Sequence, residues 1–159
     1  MKVIYLETTI ISYLVSRQSA DSRLLTMQKL TWEWWNYKRY NYNLLISQAV
    51  LDEICIGDPV QVKNRLEIVN NIDVISQSSE ILAMAKVFVN KKIVPEKAYI
   101  DALHIAYAAM SGADALLTWN CKHLANLNTQ KALYSYLALE NLECPVICTP
   151  FELMEESYE

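Results

Sequence analysis

Short apolar runs alternate with longer amphipathic stretches along the whole chain. Val3-Ile4-Tyr5-Leu6 is apolar without interruption, as in a strand buried on both faces. The same pattern recurs at Leu44-Leu45-Ile46, at Ala115-Leu116-Leu117-Thr118, at Val146-Ile147-Cys148 and, more weakly, at Ile72-Asp73-Val74-Ile75. Helical patterns fill the intervals. One covers residues 10–15, behind the capping residues Glu7-Thr8-Thr9, and a long one runs from about 21 to 40. Ser47 caps a helix through Leu51, Glu53 and Ile54 that closes at Gly57, and Pro59 opens another to about residue 70. Further helices are predicted over about 79–91, over 96–110 between Pro95 and Gly112, over about 129–142, and as a last turn after Pro150. Strands alternating with helices predict an α/β fold: three layers, α/β/α, with a central parallel sheet of about five strands. We find no repeat, low-complexity stretch or linker, and expect one domain over residues 1–159.

Composition removes several function classes. Only two glycines occur, Gly57 and Gly112, so neither a Walker A loop nor a three-glycine dinucleotide fingerprint can be built. Fourteen Lys and Arg against eighteen Asp and Glu give a net charge of −4, with no general basic field for nucleic acid. The N-terminal apolar run meets Glu7 too soon for a signal-peptide core, and no stretch approaches a membrane span. Four cysteines are too few for a disulfide scaffold, so the expectation is a cytoplasmic protein with reduced thiols and no membrane contact. Cys121, His123, Cys144 and Cys148 make a loosely spaced zinc set; small thiols flanking a buried strand are the better account of the last two.

Candidate chemistry follows from where ligands bind in open α/β sheets, beyond the carboxyl ends of the strands. Glu7 stands just after the first strand and Thr118-Trp119-Asn120 closes the fourth. Glu53 lies about two turns into the helix after the second strand, and Asp101 in the helix before the fourth. That last helix is apolar nearly all round, with Asp101 and His104 as its strongly polar members on one face. A carboxylate there needs a cation, several donors or a proton, and a structural Asp satisfied by His104 or backbone is as good an account as a functional one. Carboxylates from separate elements at one sheet edge suit Mg²⁺ or Mn²⁺, which take oxygen ligands and are held by few carboxylates plus substrate phosphate.

Four motifs in order carry a family resemblance. Val3-Ile-Tyr-Leu-Glu-Thr-Thr-Ile-Ile-Ser-Tyr13 resembles the opening of PIN domains, in which an acid closes strand one and is followed by Thr or Ser. Residues 47–58, SQAVLDEICIGD, resemble the second motif, with Glu53 in the acidic position. Residues 101–126 resemble the third and fourth motifs, with Asp101 acidic and the Thr-x-Asp turn present as Thr118-Trp119-Asn120; residues 145–150 are similar to the last strand of one bacterial PIN branch. The resemblance implies a Mg²⁺- or Mn²⁺-dependent endoribonuclease acting on RNA, often the VapC-type toxin of a toxin–antitoxin pair with a cognate antitoxin. By position, Glu7, Glu53 and Asp101 would be the metal carboxylates. Thr8 and Thr118 would orient a carboxylate or water, and Asn120 would fill the fourth acidic position. Glu7 and Asn120 each stand where Asp is usual. These two departures and the acidic pI of about 5.2 support a second reading, a PIN-fold binding module without effective catalysis that acts through protein or RNA contacts.

Other residues compete for these roles. Asp52 and Glu53 are helix neighbours about 100° apart, so one of them faces the site; Leu51, Ile54 and the motif favour Glu53. Asp114 precedes the fourth strand and is expected in a turn at the wrong sheet edge, while Lys122 and His123 suit either a phosphate contact or a solvated helix start. A phosphoacceptor receiver needs an acidic pair after strand one and an Asp after strand three; Glu7 is single and Ser76 follows the third strand. Residues 32–42, WEWWNYKRYNY, hold six aromatics with Lys38 and Arg39. Regular helical spacing puts Trp32, Trp35 and Arg39 on one face and Trp34 with Tyr37 on another. The surplus predicts part core and part protein interface, as in a homodimer or an antitoxin complex, ahead of single-stranded RNA stacking.

Overall fold

A computed structural model describes residues 1–154. Five strands form one parallel sheet: β1 (Val3–Leu6), β2 (Asn43–Ser47), β3 (Asp73–Ile75), β4 (Ala115–Leu117) and β5 (Val146–Cys148). Their order is β3-β2-β1-β4-β5. The chain thus steps outward from β1 to β3, crosses back, and continues through β4 to β5 on the other side. Connections leaving β1 and β4 diverge, which opens a crevice beyond the carboxyl ends of those two strands. β4 and most of β1 are buried, as their continuous apolar runs require, whereas edge strand β3 exposes Asp73 and Val74.

The helices are α1 (Thr8–Val15), α2 (Ser22–Glu33), α3 (Gln48–Ile54), α4 (Pro59–Val69), α5 (Ser79–Asn90), α6 (Tyr99–Met110), α7 (Leu127–Leu139) and α8 (Pro150–Met154). Polar side chains start them as the sequence indicates. Ser47 accepts from Val50 N, Asp58 from Gln61 N, Ser78 from Ile81 N and Asn126 from Thr129 N. Gly57 and Gly112 take φ of +113° and +70°, the left-handed region where glycine is favoured after a helix. Residues 102–109 of α6 are all buried, so an apolar surface all round the helix is matched by contacts all round it.

Three expectations are corrected. The single helix over 21–40 is instead α2, a π-helical stretch Trp34–Lys38 and a 3₁₀ turn Arg39–Asn41. Arg39 N donates to Trp34 O, five residues back, and this wider winding changes which side chains share a face. Trp34 is fully buried and stacks on Tyr42 at 6.2 Å, and adjacent Trp35 is also buried, beneath the Arg39 guanidinium at 4.1 Å. Tyr37, expected beside Trp34, is 76% exposed. The helix over 96–110 begins as a 3₁₀ turn, Glu96–Ala98, before α6. Lys122 and His123 lie in a turn before α7 rather than at a helix start, with His123 N donating to Asn120 Oδ1 at 3.1 Å.

Candidate functional site

Glu7 sits one residue past β1 and caps α1, its side chain accepting from Thr9 N. Its backbone N donates to Leu117 O at 3.0 Å, which carries the β1–β4 ladder one step further and sets Glu7 beside Thr118. Glu7 Oε2 accepts from the hydroxyls of Thr9 and, at 2.7 Å, Thr118. Thr118, fully buried, also accepts from Asn120 N at 2.9 Å, so one hydroxyl ties the first carboxylate to the turn after β4. Thr9 in turn accepts from Trp119 N at 2.9 Å, closing the same junction from the other side. These donors are what a buried glutamate at a strand end needs.

Glu53 comes from α3 and is half-buried, whereas Asp52 is exposed and takes Gln48 Nε2 at 2.9 Å, so of the pair it is Glu53 that turns inward. Glu53 Oε1 accepts from Thr8 Oγ1 at 2.7 Å and contacts His104 Nε2 at 2.6 Å. His104, on α6, is fully buried; its Nε2 lies 4.0 Å from Glu7 Oε1 and its Nδ1 bonds Tyr5 OH at 2.7 Å. Tyr5 OH bonds Ser47 Oγ, also at 2.7 Å. Asp101, one turn before His104 on the same face, is half-buried, and its Oδ1 accepts from Asn120 Nδ2 at 3.1 Å.

Charge follows this geometry. Burial opposes the charge of Glu53, but the hydrogen bond and charge of His104 and the Thr8 hydroxyl outweigh it and hold the carboxyl below its ordinary value. Burial lifts Asp101 above its ordinary value and nearby Glu7 adds to this; His104, His123 and the Asn120 amide offset it in part. For His104, burial disfavours the proton, yet the Glu53 hydrogen bond and the charges of Glu7, Glu53 and Asp101 raise its pKa.

The structure therefore groups the sequence candidates unevenly. Among the described residues, one set of His, Cys, Asp or Glu is close enough to share an ion: Glu7, Glu53 and His104, with ligand atoms within 4.8 Å of one another. Asp101 adjoins this set and pairs with Asn120. Thr8 Oγ1 donates to Glu53 and Thr118 Oγ1 to Glu7. Asn120 lies beside Asp101: its amide nitrogen donates to Asp101 Oδ1 and its carbonyl oxygen accepts from His123 N, so it braces the turn. The zinc set does not assemble among the described residues; Cys121 is exposed and Cys148 is buried in β5. Asp114 accepts from Val3 N at 2.7 Å at the opposite sheet edge, a turn residue as anticipated.

Sequence reasoning missed the centre of the cluster. His104 had a signal in its spacing from Asp101 on an apolar helix, and Tyr5 had one in being a phenol within a buried strand, which requires a hydrogen-bond partner. Nothing local joins them, because they are 99 residues apart.

As a donor set Glu7, Glu53 and His104, with Asp101 beside them, could hold a divalent cation. Each of Glu7, Glu53 and Asp101 uses one oxygen on protein donors, while Glu7 Oε1, Glu53 Oε2 and Asp101 Oδ2 have no hydrogen bond among the described residues. Carboxylate oxygens are the ligands Mg²⁺ and Mn²⁺ take.

No family model and no curated protein matches the sequence. Solved structures do match. VapBC2 from Rickettsia felis, bound to a DNA fragment from its promoter, aligns over 92% of this chain and 98% of that one, with TM-score 0.57 and 15% identity. VapBC-1 from nontypeable Haemophilus influenzae aligns over 94% and 98%, with TM-score 0.55 and 14% identity. VapC20 from Mycobacterium tuberculosis, a sarcin-ricin loop cleaving toxin, aligns over 71% and 86%, with TM-score 0.54 and 18% identity. At these identities the likeness establishes architecture: the chain has the PIN-like fold of VapC proteins.

Proposed function

We propose that this chain, as a single PIN-like domain over residues 1–159, is a metal-dependent endoribonuclease and the toxin of a toxin–antitoxin pair. The observation that carries the reading is the cluster at the β1/β4 crevice: Glu7 and Glu53 around His104 with Asp101 adjoining, each carboxylate keeping an oxygen without a protein donor among the described residues. The VapC neighbours support the nuclease class, one of them being a toxin that cleaves the sarcin-ricin loop.

In this reading Glu7, Glu53 and Asp101 hold Mg²⁺ or Mn²⁺. A bound ion would lower the pKa of a water and offset the charge that develops on the scissile phosphate. The protein's own part is positioning. Thr118 and Thr9 fix Glu7, Thr8 and His104 fix Glu53, and Asn120 fixes Asp101 while shaping the turn through His123 N. Holding three carboxylates against mutual repulsion is work done by these donors before any ligand arrives. The neighbours VapBC2 and VapBC-1 support a cognate antitoxin as partner, and exposed Tyr37 and Tyr40 support a protein interface, including a homodimer, at the aromatic segment. Among the described residues no helix is long and apolar enough to cross a membrane, which is compatible with work in the cytoplasm.

A second reading has its own observation. His104 Nε2, 2.6 Å from Glu53 and 4.0 Å from Glu7, supplies counter-charge from within the protein when its ring is protonated, so part of the carboxylate charge is offset without an ion. That favours a binding module with weakened catalysis. A mixed pool of tRNA and mRNA, incubated with the purified protein in Mg²⁺, Mn²⁺ or EDTA beside Asp101→Asn, separates the two. Asp101→Asn removes a charge that burial already disfavours and keeps an oxygen for the Asn120 amide, so the variant should fold, which circular dichroism checks. The nuclease reading predicts cleavage that needs the ion and is lost in the variant. Cleavage surviving in the variant contradicts the site assignment, and none from folded, antitoxin-free protein favours the binding module.

A further inference from the structure

We propose that His104 is itself a ligand of the ion this site takes, through Nε2, which makes the site a mixed nitrogen–oxygen centre that selects a divalent transition ion over Mg²⁺. The inference rests on the reading of Glu7, Glu53 and Asp101 as a metal site, and specifies its chemistry. Nε2 is a potential ligand atom within 4.8 Å of oxygens of both Glu7 and Glu53, on a side chain with no exposure. The far nitrogen is held the way a ligating histidine's is. Nδ1 bonds Tyr5 OH, which bonds Ser47 Oγ, and Ser47 is fixed by Val50 N at 3.3 Å.

This chain of hydroxyls runs in either direction. When Nε2 carries the hydrogen and donates to Glu53, Tyr5 OH donates to Nδ1. When Nδ1 carries it, the phenol oxygen accepts and Tyr5 donates onward to Ser47. The second arrangement turns the Nε2 lone pair toward two carboxylates, which is unfavourable unless a cation lies between them. The buried phenol is satisfied in both states, so the histidine can switch tautomer without orphaning a partner. Glu7 is placed to share the same ligand: its side chain is 5% exposed, and Oε1, which takes no hydrogen bond among the described residues, lies 4.0 Å from Nε2.

A histidine whose only role was to hold Glu53 would need Nε2 alone. A nitrogen ligand also has consequences for ion choice. Mg²⁺ takes oxygen ligands and keeps its waters, whereas first-row transition ions accept imidazole.

Electron spin-echo spectroscopy of bound Mn²⁺ reads the ligand directly. The chain has two histidines, His104 and His123, so assignment is clean. The expected result is nitrogen modulation that changes to the ¹⁵N pattern in [¹⁵N]histidine-labelled protein, persists in His123→Gln and disappears in His104→Gln. If His104→Gln does not fold, labelled His123→Gln protein decides the question with His104 intact. Mn²⁺ should also bind at least about tenfold more tightly than Mg²⁺, and Tyr5→Phe should weaken Mn²⁺ by about tenfold while keeping the nitrogen signal. Mn²⁺ bound without histidine modulation, or modulation lost with His123, overturns the inference and leaves the carboxylate site standing. No Mn²⁺ binding at all overturns both.

Discussion

Glu7 does three things with one carboxylate: it caps α1, locks the turn after β4 through Thr118, and keeps Oε1 for the crevice. Thr118 is the more brittle partner, because its hydroxyl donates to Glu7 and accepts from Asn120 N. Thr118→Val keeps the shape and removes both bonds, and should cost about 1–3 kcal/mol in urea denaturation. The His104–Glu53 pair gives a pH signature. The raised pKa of His104 makes its contribution complete below the ordinary histidine value near 6.5 and lost as pH rises through the folded-state value. The lowered pKa of Glu53 makes its contribution complete above the ordinary value near 4.5 and lost as pH falls through its folded-state value. Thermal unfolding of wild type against His104→Gln should therefore show the largest wild-type advantage between about pH 4.5 and 6.5, shrinking on either side. At this scale the sequence exposed the acids, since a carboxylate after an apolar run is conspicuous. It concealed the relay, because Tyr5 and Ser47 read as ordinary strand and cap residues and nothing local ties them to His104 until the sheet brings them together.

Elements were legible wherever one period holds throughout. β1 and α6 follow their apolar patterns because both are buried on all sides, so no face had to be guessed. The stretch after α2 was not, because a fixed 100° step fails where the backbone widens to an i→i+5 bond between Arg39 and Trp34. That winding buries two adjacent tryptophans and turns Tyr37 out. Trp34→Ala should cost about 3–5 kcal/mol, whereas Tyr37→Ala should stay within about 0.5 kcal/mol, both read by chemical denaturation. Equal losses would return the segment to a regular helix with Trp34 and Tyr37 on one face.

For the whole molecule, topology makes the site. Alternating strands and helices imply a parallel sheet, but they do not say which strands are neighbours, and the order β3-β2-β1-β4-β5 is what sets Glu7 beside Thr118. The same order places α3 and α6 so that Glu53 and His104 meet above β1. The charge of −4 argues against a general electrostatic grip on RNA, so in the proposed nuclease a local cation at this crevice would carry the burden of phosphate recognition. Anomalous diffraction from crystals soaked in saturating Mn²⁺ locates that cation directly. The account predicts a single strong peak in contact with Glu7, Glu53 and Asp101 at the carboxyl ends of β1 and β4. An empty crevice at saturation, or a peak held elsewhere on the chain, would contradict it.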